Sequence, residues 1–216
     1  MIESIKADHI ISSILRTPME SRSVEFKPSL PWNDVNTQIQ LQEIIKSILG
    51  LSNIKDGGKI ILGVKQNPDR TFIVEGMKKE DLQTYDSERI YQDIRNFGEP
   101  EPRFEIRNIE LDNKNFIVFL VQEFFYSPVI CVRNGKNIGG EPLVKSALYI
   151  RTLKPETKKV DNETEMREII NLAIEKELDL FSTRMQRAFK TMSHLKIPES
   201  TEQDEKKFLE EIKDIL

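Results

Sequence analysis

The 216-residue chain holds one cysteine, one tryptophan and two histidines, and each scarcity removes a class of chemistry. A single cysteine excludes an internal disulfide framework and a cysteine-based zinc site. Cys131 sits among Val129, Ile130 and Val132 and reads as a buried small hydrophobe. His9 and His194 stand apart from any acidic cluster, so neither is expected to be catalytic. No serine lies in a nucleophile-elbow sequence, which leaves Ser-His-Asp chemistry without support. The glycine-lysine pattern of a nucleotide P-loop is missing, and no nucleotide site is expected. No apolar run approaches the roughly 20 residues of a membrane span. The first residues, Met1 to Lys6, lack a basic region followed by an apolar stretch, so the chain is expected to be unprocessed and cytoplasmic. Internal repeats and low-complexity segments are also missing.

Present instead is the composition of a charge-rich globular protein, 38% hydrophobic and 31% charged. The net charge of −4 is unevenly spread. Residues 161–216 carry 14 acidic and 9 basic side chains out of totals of 36 and 32, which leaves 22 and 23 in residues 1–160. The acidity belongs to the tail, and a local basic groove on the near-neutral body is allowed.

Ile5, Ile10, Ile11, Ile14 and Leu15 repeat at helical spacing, so residues 2–15 are expected to be an amphipathic helix. Val24 and Phe26 alternate with Glu25 and Lys27 as in a strand with one apolar face. Leu41, Ile44, Ile45, Ile48 and Leu49 mark a helix with one buried stripe. Asp56-Gly57-Gly58 is a turn, after which Lys59–Val64 reads as a fully buried strand, and Thr71–Val74 can return as a hairpin. Residues 79–97 read as one helix, followed by strands at Phe104–Leu111, Phe116–Val121, Val129–Val132 and Ala147–Arg151. Asn134-Gly135 and Gly139-Gly140 are loop signals between the last of these. Asn162 and Glu165 form a capping-box pattern ahead of about thirty residues of unbroken helical periodicity. Beyond Pro198 a last acidic helix carries Phe208, Leu209, Ile212 and Ile215. The expectation is an α+β body over residues 1–160, with a mixed sheet and packed helices, and a helical tail over 161–216.

Glu20 and Glu25 are five residues apart, a spacing that neither a strand nor a helix brings together. They can pair only if the chain bends near Ser21–Ser23, with Glu20 in a loop and Glu25 on the strand. Two such carboxylates suit Mg²⁺ or Mn²⁺, which accept oxygen ligands and substrate phosphate together. The plainer reading is a solvated Glu20 and a Glu25 paired with a neighbouring cation. The two-glycine turn can approach a phosphate or merely turn. Lys27, Lys55, Lys59, Lys65 and Arg70 surround the two core strands, and Arg151, Lys154, Lys158 and Lys159 follow the last one. Both sets on one sheet edge would track phosphates; otherwise they are scattered surface charges. The tail helix can be a dimer seam, a lid, or a packed part of its own domain.

The order Glu20–Lys27, Ser52-Asn53, Gly57-Gly58 and the Ile60–Val64 strand, with Pro128 and Tyr149-Ile150-Arg151-Thr152 later, resembles the Schlafen-AlbA domain over roughly residues 17–160. The resemblance implies a mixed α+β domain that binds nucleic acid. In vertebrate Schlafen proteins a related domain cleaves tRNA and rRNA with three acidic residues and a divalent metal. By position Glu20 and Glu25 match the first two acids, while the third falls at Lys65-Gln66. Gln66 supplies one neutral oxygen, and Asp69 lies three residues on. The zinc ligands of the vertebrate proteins are absent. One fewer carboxylate weakens divalent binding, and Lys65 repels a metal while favouring phosphate.

The expected function is therefore binding of RNA or DNA, with Lys27, Lys59, Lys65, Arg70 and Arg151 on phosphates. The alternatives are a ribonuclease with Mg²⁺ or Mn²⁺ on Glu20, Glu25 and Asp69 or Gln66, and an interaction scaffold acting through the tail. A homodimer through residues 162–193 is expected, and no membrane partner.

Overall fold

The computed structural model describes residues 2–33, 38–137 and 141–192, with side chains from His9 to Lys190. The chain divides into two compact units, residues 1–176 and 177–216.

The first unit is α+β. Its sheet runs in the order β1 (Val24–Lys27), β2 (Gly58–Leu62), β7 (Lys114–Val121), β6 (Phe104–Leu111). β1 and β2 are parallel, and the other pairs are antiparallel, so the sheet is mixed. Ile60 and Leu62 point into one hydrophobic cluster and Ile61 into another, as period-2 alternation requires of a strand covered on both faces. On one face α1 (Ile2–Arg16) sets Ile11 and Leu15 against Val24, Phe26, Ile61 and Val118. On the other, α2 (Ile39–Ser52) brings Leu41, Ile44, Ile45 and Ile48 to Ile60, Leu62, Ile117 and Phe119.

Lys59–Val64 is two strands rather than one. Gly63 takes φ +102, a conformation side chains rarely adopt, and redirects the chain into β3 (Val64–Gln66). β3 forms the expected hairpin with β4 (Phe72–Val74). Residues 79–97 also break, into α3 (Lys79–Leu82) and α4 (Ser87–Arg95). Side chains between them compete with the helix for backbone groups: Thr84 Oγ1 donates to the Asp81 carbonyl, and Asp86 Oδ1 accepts from Arg89 N and starts a new helix.

β5 (Gly98–Glu99) pairs with β8 (Ile130–Cys131), and β9 (Tyr149–Arg151) pairs with β10 (Thr157–Lys159). The β9–β10 ribbon lies against α2. Asn53, next after α2, is fully buried and ties this ribbon down. Its amide donates to the carbonyls of Val129 and Tyr149, both at 2.9 Å, and its oxygen accepts from Val129 N at 2.8 Å. Cys131 is buried, and burial pushes its thiol pKa up.

α5 (Glu163–Met192) is capped by Asn162, whose Oδ1 accepts from Glu165 N at 3.0 Å. Ile169 and Leu172 enter the core of the first unit. In the second unit the helix exposes Leu178, Phe181, Met185 and Phe189. The Gly139-Gly140 loop, His194, and the acidic helix with Phe208, Leu209, Ile212 and Ile215 lie outside the described residues.

Candidate functional site

The bend needed to pair Glu20 with Glu25 is present. Ser21 and Val24 exchange two backbone hydrogen bonds, of 3.1 and 3.3 Å, across a tight turn. That turn lays Glu20 beside β1, where its Oε1 accepts from the Phe26 backbone N–H at 3.1 Å. Glu20 is thus fixed by the strand that carries Glu25.

Glu25 is 4% exposed because β1 turns its odd-numbered side chains toward α2 and β9. A buried carboxylate needs compensation, and two cations supply it. Arg151 Nη1 donates to Oε2 at 2.6 Å, and Lys27 Nζ lies 2.9 Å from Oε1. Glu43, on α2, is 3.6 Å from the same ammonium. Burial alone would lower the Lys27 pKa. Glu25, through charge and a hydrogen bond, outweighs it with help from Glu43 and Glu20, so Lys27 stays above its ordinary value and charged.

These groups border a polar cleft of about 290 Å³. It collects Glu20, Glu25, Lys27, Gln66 and Arg151 from the residues singled out in the sequence. Gln66 occupies the position that the resemblance gives to a third acid. The rest of that set lies elsewhere. Lys59 pairs in register with Val24 and so projects on the α1 face, opposite Glu25. Lys65 is exposed on the β3–β4 ribbon and Arg70 is exposed in its turn. Asp69 spends its Oδ1 on Thr71 N and Oγ1, at 2.9 and 2.6 Å, in the same turn, and is not part of the cleft wall. Arg151 is only 2% exposed and serves Glu25 first.

The cleft also contains Glu43 and Lys46, which the sequence reading passed over. They stand three residues apart on the polar side of α2, a helical neighbour spacing that could have flagged them. Arg22 was missed too. Its Nε donates to the Arg151 carbonyl at 2.8 Å, and its Nη2 reaches Glu168 at 2.5 Å.

As arranged, Glu20, Glu25 and Gln66, the three residues matched to the metal site, do not present a ready ligand set for a divalent cation. Both Glu25 oxygens are taken by cations of the chain, Glu20 is bonded to the backbone, and Gln66 brings no charge. Among the described residues no three His, Cys, Asp or Glu side chains converge as a ligand group.

The sequence profile described as Schlafen, AlbA_2 matches residues 20–158, a span that includes every wall of this cleft. The chain belongs to the Schlafen, AlbA_2 family. No curated protein sequence matches it. Two solved structures are similar to this Schlafen, AlbA_2 chain. One is the crystal structure of the DIP2311 protein from Corynebacterium diphtheriae, 14% identical over 77% of this chain and 28% of that one, with a TM-score of 0.46. This chain therefore spans under a third of the length of that protein. The other is the NMR structure of the N-terminal domain of a RecG-related protein from Nitrosomonas europaea. It is 16% identical over 73% of this chain and 94% of that domain, with a TM-score of 0.41.

Proposed function

We propose that this Schlafen, AlbA_2 domain binds RNA or DNA by receiving backbone phosphates at the polar cleft, without cutting them. The observation that carries this reading is the commitment of Glu25 to Arg151 and Lys27. Lys27 divides its ammonium between Glu25 and Glu43, and Lys46, 3.5 Å from the exposed Glu141, adds a second ammonium to the cleft wall that a phosphate can take over from that surface carboxylate. Arg70, in the exposed turn of the ribbon that carries Gln66, extends the track outward, while Lys65 alternates to the ribbon's other face. Lys59 faces the other side of the sheet and has no part in it.

The test is incubation of the purified protein with labelled tRNA and with duplex DNA, with and without Mn²⁺, each mixture split between native and denaturing gels. A native-gel shift without cleavage is expected. The competing reading is a metal-dependent endoribonuclease, favoured by the meeting of Glu20, Glu25 and Gln66 in one cleft. Mn²⁺-dependent cleavage of tRNA that disappears in a Glu25→Ala variant still folded by circular dichroism would establish that reading and overturn ours.

The same proposal places the protein in the cytoplasm, where the lone buried thiol of Cys131 suits a reducing compartment. No described helix is long and apolar enough to cross a membrane. It also makes the protein a homodimer through residues 162–193. Support comes from Leu178, Phe181, Met185 and Phe189, exposed apolar side chains repeating every three or four residues, the spacing of a coiled-coil seam.

A further inference from the structure

A second cleft, of about 320 Å³, adjoins the polar one and shares Arg151 and Glu156 with it. The two are separated by the loop between β9 and β10, residues 152–156. Short bonds stiffen that loop: Thr152 N donates to the Glu156 carbonyl at 3.0 Å, Glu156 N to the Lys154 carbonyl at 2.5 Å, and Thr152 Oγ1 also to the Lys154 carbonyl. At its tip Leu153 is 85% exposed and lines the second cleft. One exposed leucine alone means little. This one borders a cavity with two unmet polar atoms.

The first is Arg151 Nε, a buried donor without a partner among the described residues, on a side chain only 3% exposed. The second is Glu165 Oε2, a buried acceptor equally without one. Buried polar atoms are nearly always satisfied, so each such exception calls for a cause. Glu165 is not spent on its helix. A capping box would turn its carboxylate back to the N–H of Asn162, yet its Oε1 goes to Lys158 at 2.9 Å and Oε2 is left over. Both atoms lie just beneath the cleft wall, where a ligand that shifts the overlying side chains meets one donor and one acceptor, and the exposed Leu153 adds apolar contact beside the polar cleft.

We infer that the second cleft receives the base of an unpaired nucleotide carrying an exocyclic amino group, whose phosphates lie in the polar cleft. The base amino group donates to Glu165 Oε2, a ring nitrogen or carbonyl accepts from Arg151 Nε, and Leu153 covers the ring face. Cytosine carries both groups on one edge. Lys154, beside Leu153, faces the flanking phosphate. The inference rests on the phosphate-binding reading above and adds to it a preference for single-stranded, amino-bearing bases.

Fluorescence anisotropy at low salt tests it, using the full chain with labelled single-stranded nonamers of cytidine, of uridine, and of an abasic backbone of equal length. The cytidine nonamer should bind at least about tenfold more tightly than the abasic one, the equivalent of about 1.4 kcal/mol. Uridine should fall between them. Leu153→Ala and Glu165→Ala should each remove most of that gap and leave abasic affinity unchanged. Leu153 is too exposed for its loss to disturb folding, so that variant stands even if Glu165→Ala folds poorly. Equal binding of cytidine and abasic strands overturns the inference while leaving the phosphate reading intact. No binding of any strand, the abasic one included, overturns both.

Discussion

Arg151 and Glu25, 126 residues apart in the chain, meet at 2.6 Å with their side chains almost wholly buried. The pair joins the closing ribbon of the domain to the edge strand of its sheet. It also decides the electrostatics of the cleft, because Glu25 is neutralised from inside the protein. Removing either partner alone strands a buried charge. Arg151→Met and Glu25→Gln should each cost about 3–5 kcal/mol, and the double variant clearly less than their sum. Urea denaturation of the four proteins measures this, and additive losses would contradict it.

Asn53 holds three bonds to two separate segments from a fully buried position. Asn53→Ala leaves two carbonyls and one N–H unmet and should cost about 3 kcal/mol or more. The fall in the urea midpoint reads it directly, and a shift worth less than about 1 kcal/mol would show that water replaces the amide.

Gly57 has φ +62, and a Cβ there would overlap the Val121 carbonyl oxygen. Gly57→Ala should therefore destabilise by more than the roughly 1 kcal/mol of backbone preference alone, with a lowered melting temperature as the readout. The sequence signalled a turn at this position. The close approach to β7 is the added reason for glycine.

Burial would raise the Glu123 pKa. The Lys176 ammonium and the Asp56 N–H outweigh it, so the carboxylate lies below its ordinary 4.5. A depressed folded pKa stabilises above the unfolded value, and that stabilisation is lost as pH falls through the folded one. Glu123→Gln should melt at most about 2–4 °C below the wild type at pH 7, a contribution under about 1 kcal/mol for a partly exposed pair. The gap should narrow steadily as pH falls below 4.5 and the carboxylate takes up its proton. A gap that does not change with pH would show that packing, rather than charge, is responsible.

Leu178, Phe181, Met185 and Phe189 form an apolar stripe, with Phe181 62% exposed. Light scattering on the eluting protein should give a dimer mass for the wild type and a monomer mass for Phe181→Glu. A monomeric wild type removes the dimer proposal.

Local pattern made much of this fold legible. The sequence made a bend near Ser21–Ser23 the condition for pairing Glu20 with Glu25, since no regular element brings them together, and the burial of Ile60, Ile61 and Leu62 followed from an unbroken apolar run. What local pattern could not give was register and distance. Lys59 seemed to belong with Lys27 until the pairing of Val24 with Lys59 placed it across the sheet. Arg151 looked like a surface cation because its carboxylate partner lies 126 residues away. The break between α3 and α4 was hidden for a related reason. The hydroxyl of Thr84 accepts from the distant Trp32 N–H, a bond that no window around residues 79–97 contains.

The central claim is that the polar cleft holds phosphates. Salt titration of oligonucleotide affinity for the wild type and Lys46→Ala tests it most directly. Affinity should fall linearly with salt on logarithmic axes, and the variant should bind more weakly with a slope smaller by about one phosphate contact. Affinity indifferent to salt, or an unchanged slope in Lys46→Ala, would contradict the account.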